Sequence, residues 1–137
     1  MRTILILSMM LAASVVGAQN KLTVVVDGIE KSNGKVMVTV FDSINYLKQP
    51  VYYKMVKVEE GQEEVTVVID SITVGKYAVV VFHDENDNNT LDTGAYGIPL
   101  EKFGFSNNAK GKMGPPEFRD CMIIIEDEDT EINITLQ

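Results

Sequence analysis

The chain has 137 residues, of which 45% are hydrophobic and 23% charged, with a formal net charge of −8 and one cysteine. That length suits one domain. The acidic balance argues against nucleic acid and anionic membrane surfaces as partners, and a lone Cys121 leaves no internal disulfide to make.

Residues 1–18 read as a secretory signal peptide. Arg2 supplies the positive start, Ile4 to Leu7 through Leu11 the apolar stretch, and Val16-Gly17-Ala18 a small-residue cleavage site before Gln19. Ser8, Ser14 and Gly17 interrupt the run, which disfavours a membrane anchor. No cysteine follows it to carry a lipid, and no later stretch is long and apolar enough to span a bilayer. The expected protein is exported, whether periplasmic, outer-surface or secreted. Residues 19–137 form a single domain. Without Arg2 it carries 20 acidic against 11 basic side chains (12 − 1), a net −9.

The rest reads as all-β. Leu22 to Asp27 is Val-rich and ends at an Asp27-Gly28 turn. Ser32-Asn33-Gly34 turns the chain into Lys35 to Phe41, where Val36, Val38 and Val40 share a face. Tyr52 to Val58 is weaker. Glu59 to Gln62 is a turn, and Glu63 to Ile69 follows with Val65, Val67 and Ile69 on one side. Lys76 to His83 is apolar on both faces, as a central strand would be. Phe118 to Glu126 and Glu131 to Leu136 complete about seven strands. One helical turn fits at Ser43 to Gln49. This spacing predicts an antiparallel β-sandwich with an immunoglobulin-like or transthyretin-like layout. The predicted core includes Val24, Val38, Val67, Val79, Val81, Ile124 and Ile134.

Between Asp84 and Glu117 little strand character remains. A loop that long in a compact domain is functional or held by something. Its glycines and prolines give bends and stiffness, and Tyr96, Ile98, Leu100, Phe103 and Phe105 are the expected anchors onto the sandwich.

The loop opens with Phe82-His83-Asp84-Glu85-Asn86-Asp87-Asn88-Asn89-Thr90-Leu91-Asp92. Side-chain oxygens at Asp84, Asn86, Asn88 and Asp92, with the Thr90 carbonyl, follow positions 1, 3, 5, 9 and 7 of a calcium loop. Position 6 is Asn89 where glycine is expected, but asparagine tolerates the left-handed conformation. Position 12 is Ala95, so the bidentate glutamate is missing and a helix-flanked EF-hand does not fit. Glu85, Asp87 or Glu101 could add a carboxylate. The alternative is a hydrogen-bonded Asn/Asp turn without an ion.

Other polar residues point to chemistry less directly. His83 and Asp84 are adjacent, so a strand turns them to opposite faces, and no serine sits in a nucleophile elbow. His83 is expected to be structural. Tyr46, Tyr52, Tyr53 and Tyr96 could stack on sugars, although ordinary packing is the simpler role. Cys121 precedes Met122-Ile123-Ile124-Ile125 and reads as a small buried hydrophobe. Gly104-Phe105-Ser106-Asn107-Asn108 reads as a loop cap whose amides satisfy backbone groups. Glu126 to Asp129 reads as a solvated hairpin tip.

Taken together, several segments resemble a bacterial family, domain of unknown function 2141. They are Gly75-Lys76-Tyr77-Ala78, Phe82-His83-Asp84-Glu85-Asn86, Leu91-Asp92, Gly97-Ile98-Pro99, Gly104 to Asn108 and Gly114-Pro115-Pro116-Glu117-Phe118, in that order. The resemblance implies an exported bacterial protein without an established activity. That family usually carries glycine near Asp87 and Asn89, where this chain departs. The Gly75-Lys76-Tyr77 start and the Asp/Asn loop also look like calcium-bearing immunoglobulin-like repeats of bacterial adhesins.

The leading expectation is a non-enzymatic exported β-sandwich that binds Ca²⁺ through Asp84, Asn86, Asn88, Thr90 and Asp92. The rivals are a module for glycans or a cell-surface partner, and a small hydrolase using His83 and Asp84.

Overall fold

A computed structural model describes residues 20–137. The reading of residues 1–18 as a signal peptide lies outside them. The described strands are β1 (Asn20–Asp27), β2 (Lys35–Phe41), β3 (Tyr52–Lys57), β4 (Glu64–Ile72), β5 (Gly75–Asp84), β6 (Phe103–Phe105), β7 (Met122–Ile125) and β8 (Thr130–Thr135). A four-residue helical turn, α1 (Phe118–Cys121), leads into β7.

They form two sheets. The smaller runs β4-β1-β8, and the larger runs β3-β2-β5-β6 with β7 also on β5. β7 pairs with Gly75 to Ala78 and β6 with Val80 to Phe82, so the two share one edge of β5. Between the sheets, Leu22, Val24, Val26, Val36, Val38, Val40, Val65, Val67, Val79, Val81 and Ile134 are buried together. Their alternation along each strand is what places them on one face. The all-β sandwich expected from periodicity is present.

Four details differ from expectation. β8 runs parallel to β1, from Leu22↔Thr130 to Asp27↔Thr135, so the smaller sheet is mixed. Phe103 to Phe105, expected inside the long loop, forms β6. Phe118 to Cys121 is helical, so the strand begins at Met122. Ile124 is 54% exposed, because its neighbours Ile123 and Ile125 take the inward positions.

β5 is apolar on both faces because each face meets a core. Tyr77, Val79 and Val81 face the smaller sheet. On the opposite face, Ala78, Phe105 and Cys121 form a second cluster with Tyr46, Val80, Phe103 and Phe118 packed against it. Tyr46 stands edge-on to both Phe41 and Phe118. It belongs to the turn at Ser43–Lys48, where Asp42 accepts from the Asn45 amide at 2.8 Å. Cys121 is fully buried, as its apolar context predicts.

The segment around Ser106 ties this second layer down. Val79 donates to Ser106 Oγ at 2.9 Å. Asn107 donates to the carbonyls of Asp120 and Met122, and Thr135 donates to Asn108 Oδ1. Asn107 and Asn108 both take left-handed backbone, which asparagine accepts more readily than most residues. The cap expected here is therefore a pin joining β5, β7 and β8. Gly104 completes the junction: a Cβ there would lie 2.6 Å from Ile134 Cγ2, so only glycine lets β6 pass this close to β8.

The candidate cation loop and the elements that position it

Asp84 is the last residue of β5 and pairs in register with Lys35, the first of β2. Its carboxylate is fully buried. Asn88 and Asn89 donate their backbone N–H groups to it at 3.2 and 2.8 Å. The Lys35 ammonium lies 3.7 Å from Asp84 Oδ2 and also donates to Asn89 Oδ1. Burying a carboxylate is costly unless such donors and a neighbouring positive charge compensate it.

The turn before β2 fixes the floor of the loop. Gly34 has φ +66°, and a Cβ there would fall 2.0 Å from the Asp84 carbonyl oxygen. No other residue fits this approach. Next to it, His83 Nε2 lies 2.6 Å from the Asn33 carbonyl oxygen and donates to it. Asn33 Nδ2 donates to the Glu85 carbonyl at 2.9 Å, and Lys31 bridges to the Glu85 carboxylate at 3.1 Å. His83 is buried and tethered to a backbone carbonyl, which is a structural placement.

Beyond Asp84, the side chains fold the chain onto itself. Asn88 donates its backbone N–H to Asn86 Oδ1 at 3.3 Å, and Thr90 donates to Asn88 Oδ1 at 3.1 Å. These are successive Asx turns. Asp87 and Asn89 adopt left-handed backbone, φ +57° and +64°. Asparagine and aspartate accept this conformation more readily than most residues. Asn86 and Asn88 then present their amide nitrogens to Asp92, each at 2.6 Å.

Sequence reasoning named Asp84, Asn86, Asn88, Thr90 and Asp92, and all five sit in this one hydrogen-bonded loop. The two carboxylates occupy separate halves of it, joined through Asn88. Thr90 enters through its N–H. Among the described residues, no three His, Cys, Asp or Glu side chains group as a metal site. The oxygen set therefore consists of two carboxylates and neutral amides.

Two contributors are less visible in the sequence. Lys35 arrives through strand register. Glu101, suspected as an extra ligand, serves instead as a clamp: its buried carboxylate accepts from the backbone N–H groups of Glu85, at 2.7 Å, and Asp92, at 2.9 Å. It thereby holds both ends of the loop together.

Past Asp92 the chain makes a small hairpin. Thr93 bridges Pro99, Gly94 donates to the Ile98 carbonyl, and Leu100 donates to the Asp92 carbonyl. Tyr96, Ile98 and Leu100, expected to anchor the loop, are exposed, and only Phe103 and Phe105 do so. The tyrosines do not form a common stacking surface. Tyr46 packs with Phe41 and Phe118, Tyr52 with Tyr77, and Tyr53 and Tyr96 are exposed.

No helix among the described residues is long and apolar enough to cross a membrane. Comparison with known proteins gives a family and nothing finer. No curated protein and no solved structure matches the chain. Residues 24–133 match the family described as an uncharacterized protein conserved in bacteria (DUF2141), and the chain belongs to that family.

Proposed function

We propose that this protein is an exported, non-enzymatic β-sandwich whose 84–92 loop binds Ca²⁺, and that the ion orders the connection from β5 to β6. The observation that carries this reading is the focus on Asp92, which has Asn86 and Asn88 carboxamides on it at 2.6 Å. A carboxamide presents either N–H or C=O after a half-turn of its last torsion, which is broad and two-fold. Turning both would aim two neutral oxygens at the space beside Asp92, at the cost of the Asx-turn bonds that Oδ1 of Asn86 and Asn88 now accept from the Asn88 and Thr90 N–H groups. Asp84 and the Thr90 carbonyl would complete an oxygen set for a hard cation. In the absence of an ion, the same groups satisfy one another.

Asp92 is half-buried and its backbone N–H stays on Glu101, so its side chain can be removed with the clamp intact. Asp84 is less suitable for a test, because it also holds the backbone of Asn88 and Asn89.

Calcium titration by calorimetry on chelator-treated protein is the direct test. Binding in the range of about 10⁻⁴–10⁻³ M is expected for an exported module. An ion that binds only the folded loop also raises the melting temperature, and EGTA reverses the gain. Asp92→Ala should abolish both signals, and Mg²⁺ should do less than Ca²⁺ because it sheds water reluctantly. Identical melts in calcium and EGTA, with no heat at millimolar calcium, would reduce the loop to a polar turn. Export rests on the residue pattern of positions 1–18. N-terminal sequencing of exported protein should begin at Gln19, and an intact Met1 would overturn that reading.

A further inference from the structure

A groove of about 590 Å³ lies on the outer side of the larger sheet, away from the inter-sheet core. Its floor is Val80 of β5 with Phe103 and Phe105 of β6. One wall is the 93–99 hairpin, which contributes Ile98, and the other is the glycine- and proline-rich 109–116 segment, which contributes Met113. The volume falls within the range of small-molecule sites. Tyr96 and Met113 stand fully exposed on opposite walls, and Ile98 is 62% exposed. Single exposed apolar residues are ordinary, but several gathered around one concavity mark a contact site.

The charge around the groove differs from that of the rest of the molecule. The chain carries 20 acidic residues against 12 basic ones, yet no acidic side chain lines this groove. The only charged side chain in the lining is Lys110. Lys112 follows two residues on, and neither lysine forms an ion pair with a described residue. An apolar trough with an unpaired ammonium at its wall suits a ligand that is apolar along its length and anionic at one end.

We propose that the groove binds a free acyl-chain carboxylate. The chain lies over Phe103, Phe105 and Val80, between Ile98 and Met113, and the carboxylate meets Lys110. This does not depend on the calcium reading, because none of these residues belongs to the ion's oxygen set.

Calorimetry with sodium decanoate below its micelle concentration, with decanol and decyltrimethylammonium as comparators, tests the proposal. Saturable 1:1 binding of decanoate is expected, with the cationic amphiphile binding more weakly. Lys110→Glu should weaken decanoate about tenfold, the scale of one charge-assisted hydrogen bond, and leave decanol unchanged. Ile98→Asp and Met113→Asp should weaken decanoate and decanol together. Both positions are exposed, so these variants should keep the wild-type circular dichroism spectrum. Three results would overturn the proposal: no saturable decanoate binding, indifference to Lys110→Glu, or capture by phosphatidylglycerol vesicles without binding of free decanoate. The last would make this end of the molecule a membrane-contacting surface.

Discussion

Lys35 and Asp84 face each other across the β2–β5 ladder, and the ammonium stands 3.7 Å from a carboxylate with no solvent exposure. The lysine is therefore a built-in cation at the mouth of the loop proposed to take Ca²⁺, and the two cations should compete. Lys35→Met should lower stability toward the ~3 kcal/mol typical of losing one partner of a buried pair. Calcium should recover more of that loss than it adds to the wild type. Urea denaturation with and without calcium measures both effects. A variant as stable as the wild type in EGTA would show that the backbone N–H groups of Asn88 and Asn89 suffice for Asp84.

Glu101 controls the width of the same loop. Its two oxygens accept one N–H from each end, so Glu101→Ala leaves two donors without partners. The expected cost is about 1–3 kcal/mol, with faster hydrogen exchange at Glu85 and Asp92. Glu101→Gln keeps one acceptor oxygen and should lose less. Equal losses in the two variants would mean that the charge of Glu101, rather than its pair of acceptors, holds the loop.

The two faces of the larger sheet predict opposite responses to the same substitution. Val79 is fully buried in the inter-sheet core, and Val79→Asp should unfold the domain because an unpaired buried charge is costly. Ile124 on β7 points outward, and Ile124→Asp should change stability by less than about 0.5 kcal/mol. Thermal melts of the two variants check the assignment of faces.

That contrast also marks what could be read from the chain. In β1, β4 and β8, one face is core and the other is not, so alternation names the buried residues directly. Ile123-Ile124-Ile125 has no alternation, and nothing local says which way the middle residue points. The direction of β8 against β1 is a property of pairing, which periodicity does not encode. β6 has three residues and exists because Val80 to Phe82 offer an edge and Gly104 permits close approach to Ile134. Phe118 and Cys121 meet the second core from the two ends of one helical turn, three residues apart, a spacing that a strand reading of the segment hides. The loop was legible residue by residue because Asx turns are local. Lys35 was not, because its place beside Asp84 depends on strand register 49 residues away.

Cys121 and Tyr46 give the last prediction. The thiol is fully buried and lies 3.5 Å from the Tyr46 hydroxyl, which donates to the Pro116 carbonyl at 2.7 Å. Burial pushes the thiol's pKa up, with Asp120 adding to the shift and the Tyr46 hydrogen bond opposing it. Burial, followed by the contact with Cys121, raises the Tyr46 phenol as well. Both groups are acids held neutral by the fold. Their contribution is complete below the unfolded-state values, about 8.5 for cysteine and 10 for tyrosine, and is lost as pH rises through the higher folded values. Native protein should therefore react slowly with a thiol reagent at pH 8 and fully in urea, and it should not form disulfide-linked dimers under air. Tyr46→Phe keeps the ring edges against Phe41 and Phe118 but loses the hydroxyl's partners. It should cost about 1 kcal/mol at pH 7 and blunt the loss of stability above pH 10. Rapid labelling of the native thiol at pH 8 would mean that the segment carrying Phe118 to Cys121 opens readily, and that the second core is not the fixed layer described for β5.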